Sequence, residues 1–273
     1  AQMSEWRRDG VRNGPTRARS RAGWLVAALA IAGCHSQPPA APGATPLGTK
    51  AGAARAPRAE LSAQIEAAFA AWEEAGPSGD AAHRARLERL AAAVREQLAD
   101  SGRVDLLFVC THNFRRSHMA LLLGLAAARR KGLDGVRAFS GGTEATAFNP
   151  RAIAALERVG FAIAKDPAGA PGGSNPRYRV RLGPAIDPVE AFSKRIADAP
   201  NPSSDFIAVM TCSQADAACP YVPGAVARLA VPYEDPKAAD GTPEEAARYD
   251  ERVAQIGRDL AWVFDAATRP SSP

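Results

Sequence analysis

The spacing of apolar residues changes several times along this chain, and each change predicts an element. From residue 58 to 102 the period is helical. Leu61, Ile65, Phe69 and Trp72 fall on one face, Gly76-Pro77-Ser78-Gly79 interrupts, and His83, Leu87, Leu90, Val94 and Leu98 resume. This predicts an N-terminal helical hairpin packed on the domain that follows, with no chemistry of its own; His83 reads as a partly exposed helix residue. From Val104 short apolar runs alternate with helical stretches. Strands are expected at Val104–Val109, Val136–Ser140, Phe206–Thr211 and Ala227–Val231. Helices are expected at Ser117–Lys131, from Asn149-Pro150 to Gly160, and from Thr242, whose hydroxyl would cap a helix with Pro243 at its first position. Strands alternating with helices imply an α/β fold, a central parallel sheet flanked by helices. Sites in such sheets form at the carboxyl ends of the strands.

The first 57 residues share neither rhythm. Arg7, Arg8, Arg12, Arg17, Arg19 and Arg21 precede a ten-residue apolar core, Trp24–Gly33, which is too short to span a bilayer. The core ends in Ile31-Ala32-Gly33-Cys34, which resembles the lipobox of bacterial lipoproteins; the plainer reading is a short hydrophobic helix with a chance cysteine. The lipoprotein reading makes residues 1–34 a signal peptide, lipidates Cys34, and places the protein in the cell envelope facing the periplasm, held to a membrane by acyl chains. The Pro- and Ala-rich residues 35–57 read as a disordered tether.

Charge divides the chain at the same place. The net +5 suggests nucleic-acid binding until it is located. Residues 1–57 hold eight Lys/Arg against two Asp/Glu, a charge of +6, while the rest hold 26 against 27, a charge of −1. The folded part is nearly neutral, so no nucleic-acid partner is expected.

The chemistry gathers where the first strand meets its helix. Cys110 ends the strand, Thr111, His112, Asn113, Phe114 and Arg115 form a loop, and Arg116 and Ser117 open the helix. Only the thiolate attacks, and converging loop N–H groups at a helix N-terminus favour the ionised form. The same N–H groups can cradle a tetrahedral oxyanion. Arg116 offers two parallel N–H bonds to its oxygens, Ser117 can hydrogen-bond Cys110, and Asn113 can lock the loop. The alternative is a buried structural cysteine at a strand end.

This stretch resembles the low-molecular-weight tyrosine phosphatase superfamily, and within it the thioredoxin-coupled arsenate reductases. The resemblance rests on Cys110-Thr111-His112-Asn113, Arg116-Ser117-His118-Met119-Ala120, Phe139-Ser140-Gly141-Gly142-Thr143 and Asn149-Pro150-Arg151-Ala152-Ile153. It covers residues 104–164 and 192–264, inside a catalytic domain placed at 103–267. It implies that Cys110 is the nucleophile, that Cys212 and Cys219 form a redox relay, and that Asp235 is the general acid. Rival readings are a structural Cys212–Cys219 disulfide and a plain turn at Asp235-Pro236. A thioredoxin-like electron donor is implied with the relay.

The sequence also departs from the family pattern. Leu121 replaces a Glu that helps hold potassium in some reductases, so no cofactor is expected, although Asn113 and Ser140 could still contribute to a monovalent-cation site. Lys237 stands where phosphatases usually carry an aromatic residue. His112 and His118 read as loop-shaping residues, not metal ligands. Residues 165–201 are an insertion, either a surface excursion or a lid reading the substrate through Arg177, Tyr178, Arg179 and Arg181. Three functions are compatible with these residues: an arsenate reductase, a phosphatase acting on protein tyrosine phosphate or small phosphoesters through a phospho-cysteine, and a non-catalytic envelope lipoprotein that binds anions.

Overall fold

A computed structural model describes residues 60–167 and 173–269. The signal peptide, Cys34 and the 35–57 linker lie outside the described residues. The helical hairpin is present as α1 (Ala63–Ala75) and α2 (Ala81–Ser101). Each helix starts on a side-chain cap: Ser62 Oγ accepts the N–H of Ile65, and Asp80 Oδ1 accepts that of His83. Gly102, in the left-handed region, ends α2.

The residues from Val104 onward are built on a parallel sheet of β1 (Val104–Cys110), β2 (Val136–Gly142), β6 (Phe206–Met210) and β7 (Ala225–Ala230), in the order β2-β1-β6-β7. All seven β1 residues are buried, as an apolar run in a central parallel strand requires. Leu106 and Phe108 point into the larger core, against the hairpin, α3 (Arg116–Arg130) and α6 (Glu245–Thr268). Leu107, Val109 and Cys110 face a second, smaller core with Cys212, Ala215 and Val222. Cys110 pairs with Gly142 and Val109 with Met210, so the strand ends that carry chemistry come to one edge. Among the described residues no helix is long and apolar enough to cross a membrane.

Three features differ from the sequence reading. Strands β3 (Ala162–Lys165), β4 (Tyr178–Arg181) and β5 (Val189–Ala191) form a separate antiparallel sheet, with β4 in the middle. Tyr178 and Val180 are buried and Arg179 and Arg181 exposed, the alternation of a half-buried strand. Of the arginines in the insertion, Arg177 pairs with Glu190 and stacks on Phe192, and Arg179 pairs with Asp166. Helix α6 begins at Glu245, later than expected; the Thr242 hydroxyl accepts the N–H of Glu244 at 3.3 Å and donates to the Ala239 carbonyl at 2.9 Å, closing the preceding turn. The largest correction is His83. It is 7% exposed, not a surface residue of its helix, and its ring nitrogen Nε2 lies 2.7 Å from the carboxyl of Asp259, itself wholly buried on α6. The hairpin's own pattern does not show what α6 places opposite that ring.

Candidate active site

The Cys110–Ser117 loop is held by its neighbours as much as by itself. Asn113 has φ 43°, in the left-handed region that Asn tolerates, and is fully buried. Its Nδ2 donates to Ser117 Oγ at 2.8 Å, and its Oδ1 accepts the main-chain N–H of Lys194 at 2.9 Å. Further out, Thr143 donates to the Thr111 carbonyl, and Thr146 and Ser193 to that of His112. Gly142 lies so close that a Cβ on it would sit 2.6 Å from the Asn113 nitrogen and 2.7 Å from the Thr111 oxygen.

Cys110 Sγ lies 3.1 Å from Ser117 Oγ. Ser117 Oγ accepts from Asn113 Nδ2, and its own hydroxyl proton is within reach of the sulfur, so the chain Asn113–Ser117–Cys110 is one hydrogen-bonded unit. Helix α3 has no side-chain cap at its start, so its first N–H groups are left for an anion. The two arginines of the loop are both buried. Arg116 donates through Nη1 to the Tyr233 carbonyl at 2.9 Å and through Nη2 to Asp235 Oδ2 at 2.8 Å. Arg115 donates to the Tyr249 hydroxyl at 2.8 Å, with Asp240 and Asp235 at 3.4 and 3.5 Å. Burial and the hydrogen bond to Asp240 push the Tyr249 phenol up to about 12. A small cleft lined by Cys110, Thr111, His112, Phe114, Arg115, Arg116 and Asp235 opens above the sulfur.

Cys110, Cys212 and Cys219 are all free thiols. Cys212 is fully buried at the start of the short helix α5 (Ser213–Ala218), where its Sγ accepts the N–H of Ala215 at 3.3 Å. Its sulfur lies 3.6 Å from Thr111 Oγ1, in the residue after Cys110. Cys219 ends α5, is half-buried, and packs on the same small core as Cys110 and Cys212. Asp235 accepts from the Lys237 N–H and caps a short 3-10 turn, Pro236–Ala239.

The two histidines near the loop behave differently from each other. His112 is half-exposed, 3.6 Å from Glu144, and contributes to the loop through its carbonyl. His118 does not shape the loop. It stacks on Phe148, ring centroids 4.2 Å apart, in the core beneath α3. Burial, with the Lys194 charge adding to it, lowers its pKa to about 3. Leu121, three residues on in the same helix, is buried, and Ser140 Oγ has no hydrogen-bond partner.

The residues that the sequence pattern does not reveal are those that hold the site from outside: Tyr233, Tyr249, Asp240, Ser193 and Lys194. Ser193 and Lys194 lie at the end of the insertion, and no local pattern indicates that a chain segment so far along clasps Asn113.

Residues 105–170 match the family model described as low molecular weight phosphotyrosine protein phosphatase. No curated protein matches the chain. Among solved structures, a YwlE mutant from Bacillus subtilis is 18% identical, with TM-score 0.37, over 59% of this chain and 97% of that one. A low molecular weight phosphotyrosine phosphatase from Vibrio cholerae O395 is 14% identical, with TM-score 0.37, over 59% and 95%. A thioredoxin-dependent arsenate reductase from Corynebacterium glutamicum is 19% identical, with TM-score 0.31, over 71% and 80%. The superfamily that the Cys110–Ser117 loop resembles is therefore the one that the family model finds at residues 105–170: the low-molecular-weight phosphatases.

Proposed function

We propose that this chain is a cysteine-dependent oxyanion enzyme that reduces arsenate through a three-thiol relay. The observation that carries the reading is the position of Cys212, buried with its sulfur 3.6 Å from Thr111 Oγ1, beside the nucleophile. In the first step Cys110 attacks arsenic(V), and one oxygen leaves as water after taking up protons, with Asp235 as donor; no electrons change hands. Cys212 then attacks Cys110 Sγ. The S–As bond breaks, its electron pair stays on arsenic, and arsenite leaves. Two thiols become one disulfide, matching the two electrons gained. Cys219 attacks Cys212 and frees Cys110. A dithiol protein of the thioredoxin class then reduces the Cys212–Cys219 bond. The mixed exposure supports this order: buried Cys212 receives from the loop, and half-buried Cys219 hands on to a protein donor.

The second reading, phosphoester hydrolysis through phospho-cysteine, is favoured by Asp235 standing 2.8 Å from Arg116 at the cleft. Arsenate and phosphate share charge and shape, so the loop serves both. Cys212→Ser separates them. In a reductase it stops arsenate turnover with a thioredoxin system; in a phosphatase it leaves most of the rate on an aryl phosphate. Cys110→Ser abolishes either activity, and activity surviving it removes both readings. The lipid anchor on Cys34 is proposed with the reductase, which then needs a donor facing the same compartment; a fatty-acid label absent from wild-type protein would remove the anchor.

A further inference from the structure

The helical hairpin meets the active-site loop through one buried carboxyl. Asp259 of α6 is 0% exposed and gathers donors from two distant parts of the chain. Ser78, in the break between α1 and α2, donates its N–H to Oδ1 at 2.8 Å and its hydroxyl to Oδ2 at 3.0 Å. His83 Nε2 lies 2.7 Å from Oδ2. The buried Tyr233 phenol faces the same carboxyl, and burial with the Asp259 charge beside it holds the phenol well above its usual range; its ring meets that of His83 edge to face at 5.7 Å.

Tyr233 ties this cluster to the chemistry. Its N–H donates to the Thr211 carbonyl at 3.1 Å, and its own carbonyl accepts from Arg116 Nη1 at 2.9 Å. Two residues on, Asp235 takes the other terminal nitrogen of the same guanidinium. Arg116 Nε has no partner of its own, so the guanidinium is aimed by these two contacts alone within the described residues. The residue that sets one of them is pinned at its side chain by the hairpin. An apolar contact would hold the hairpin in place without direction. A buried carboxyl held by three polar groups is directional, and each missing partner leaves a buried polar group unpaired.

We propose that Ser78, His83 and Asp259 are positioning residues for the anion site: through Tyr233 they hold the carbonyl that aims Arg116 and the turn that presents Asp235. The proposal rests on the reading of Cys110–Ser117 as an oxyanion loop, and it gives the 58–102 hairpin a role in catalysis.

The test uses the full chain and needs no turnover. Cys110 is alkylated with iodoacetate, an anion, and with neutral iodoacetamide, and each rate is measured by site-resolved mass spectrometry with Cys219 as internal reference. In wild type, a well-aimed Arg116 makes iodoacetate the faster reagent at Cys110. Tyr233→Phe and His83→Gln are each expected to lower that rate ratio about five-fold, the scale of one ordinary hydrogen bond. The double variant is expected to fall no further than the worse single, because both act through Asp259. Ser78→Ala moves the ratio the same way by less. A lower melting temperature with an unchanged ratio, or equal slowing of both reagents, overturns the proposal and leaves the hairpin as packing. Tyr233→Phe keeps its ring in place and decides the matter if His83→Gln does not fold. A wild-type ratio at or below that of Cys219 overturns the oxyanion loop itself, and this inference with it.

Discussion

Arg116 and Asp235 are paired across the mouth of the cleft, Nη2 to Oδ2 at 2.8 Å. One carboxylate thus occupies a guanidinium N–H that a bound oxyanion would use. The pair has two consequences that pull in opposite directions. In the proposed mechanism Asp235 supplies the proton to the departing oxygen, and in the pair it competes with an incoming anion for Arg116.

Asp235→Ala is expected to separate the two effects. With the competitor gone, inorganic phosphate or arsenate should bind roughly ten-fold more tightly, the scale of one charge-assisted hydrogen bond. Turnover of a substrate with a poor leaving group should fall by about 10²–10⁴ for want of the acid. Calorimetry with phosphate and steady-state kinetics check the two arms. Weaker phosphate binding in the variant would show that the pair is not a competition.

Gly142 of β2 packs directly against the main chain of the Cys110–Ser117 loop. Gly142→Ala places a methyl 2.4 Å from the Glu144 oxygen and 2.6 Å from the Asn113 nitrogen, both main-chain atoms that cannot swing aside. The loop must shift, and with it Asn113, whose Nδ2 orients Ser117. The expected result is a loss of about 1–3 kcal/mol of stability and a larger proportional loss of Cys110 reactivity. Denaturant unfolding beside iodoacetate kinetics measures both; an unchanged reactivity would mean that Asn113 does not set the sulfur.

Such contacts mark the boundary of what is legible in the sequence. The strand Val104–Cys110, the loop and the helix after it are readable because each depends on local pattern: an apolar run, a six-residue link, helical spacing. The Asn149 cap with Pro150 behind it is legible for the same reason, and its Oδ1 does accept the N–H groups of Arg151 and Ala152. His83 escapes such a reading because its burial is decided by Asp259, 176 positions later. The Tyr178–Arg181 alternation is visible in the sequence, but its partner is not: the strand pairs antiparallel with Ala162–Lys165 across the insertion. Chemistry is encoded locally, and the parts that hold it in place are not.

His118 gives an acid limb that can be tested. Its pKa is lowered to about 3 by burial and by Lys194, against an ordinary 6.5; a main-chain contact with Phe192 opposes the shift and is outweighed. Between those values the unfolded chain binds the proton and the folded chain does not. Stability is therefore full above about pH 6.5 and falls by about 1.4 kcal/mol per pH unit on the way down toward 3. Neither ring nitrogen makes a well-formed hydrogen bond, so His118→Leu removes the titration without orphaning a donor. Urea midpoints between pH 6.5 and 4.5 should fall less steeply in the variant, and an unchanged slope would assign the acid limb to other groups.

Lys194 carries the opposite kind of burden into the same region, a charge kept rather than a charge refused. Its side chain lies over the Phe192 ring, 4.7 Å from the centroid, with the Phe192 carbonyl at 3.4 Å, and the residue is 4% exposed. Burial lowers its pKa from 10.5 to about 8, with Arg177 adding to the shift and Glu190 and Asp198 opposing it. Below pH 8 both folded and unfolded chains carry the proton, and the folded state bears the whole burden of the buried charge, about 3 kcal/mol. From about 8 to 10.5 the unfolded chain binds more protons, so stability rises with pH across that window. Lys194→Met keeps the stem and the main-chain N–H on Asn113 while removing the charge. At pH 7 it should stabilise the protein by about 1–3 kcal/mol, less whatever the contacts with Phe192 contributed, and the gain should shrink as pH rises past 8. The same variant removes the cation that helps depress His118, so the folded-state pKa of that ring should rise and the acid limb should level off at a higher pH. Melting curves from pH 3 to 10 read both effects, and a variant less stable than wild type at pH 7 would show that the amine's contacts outweigh its burial.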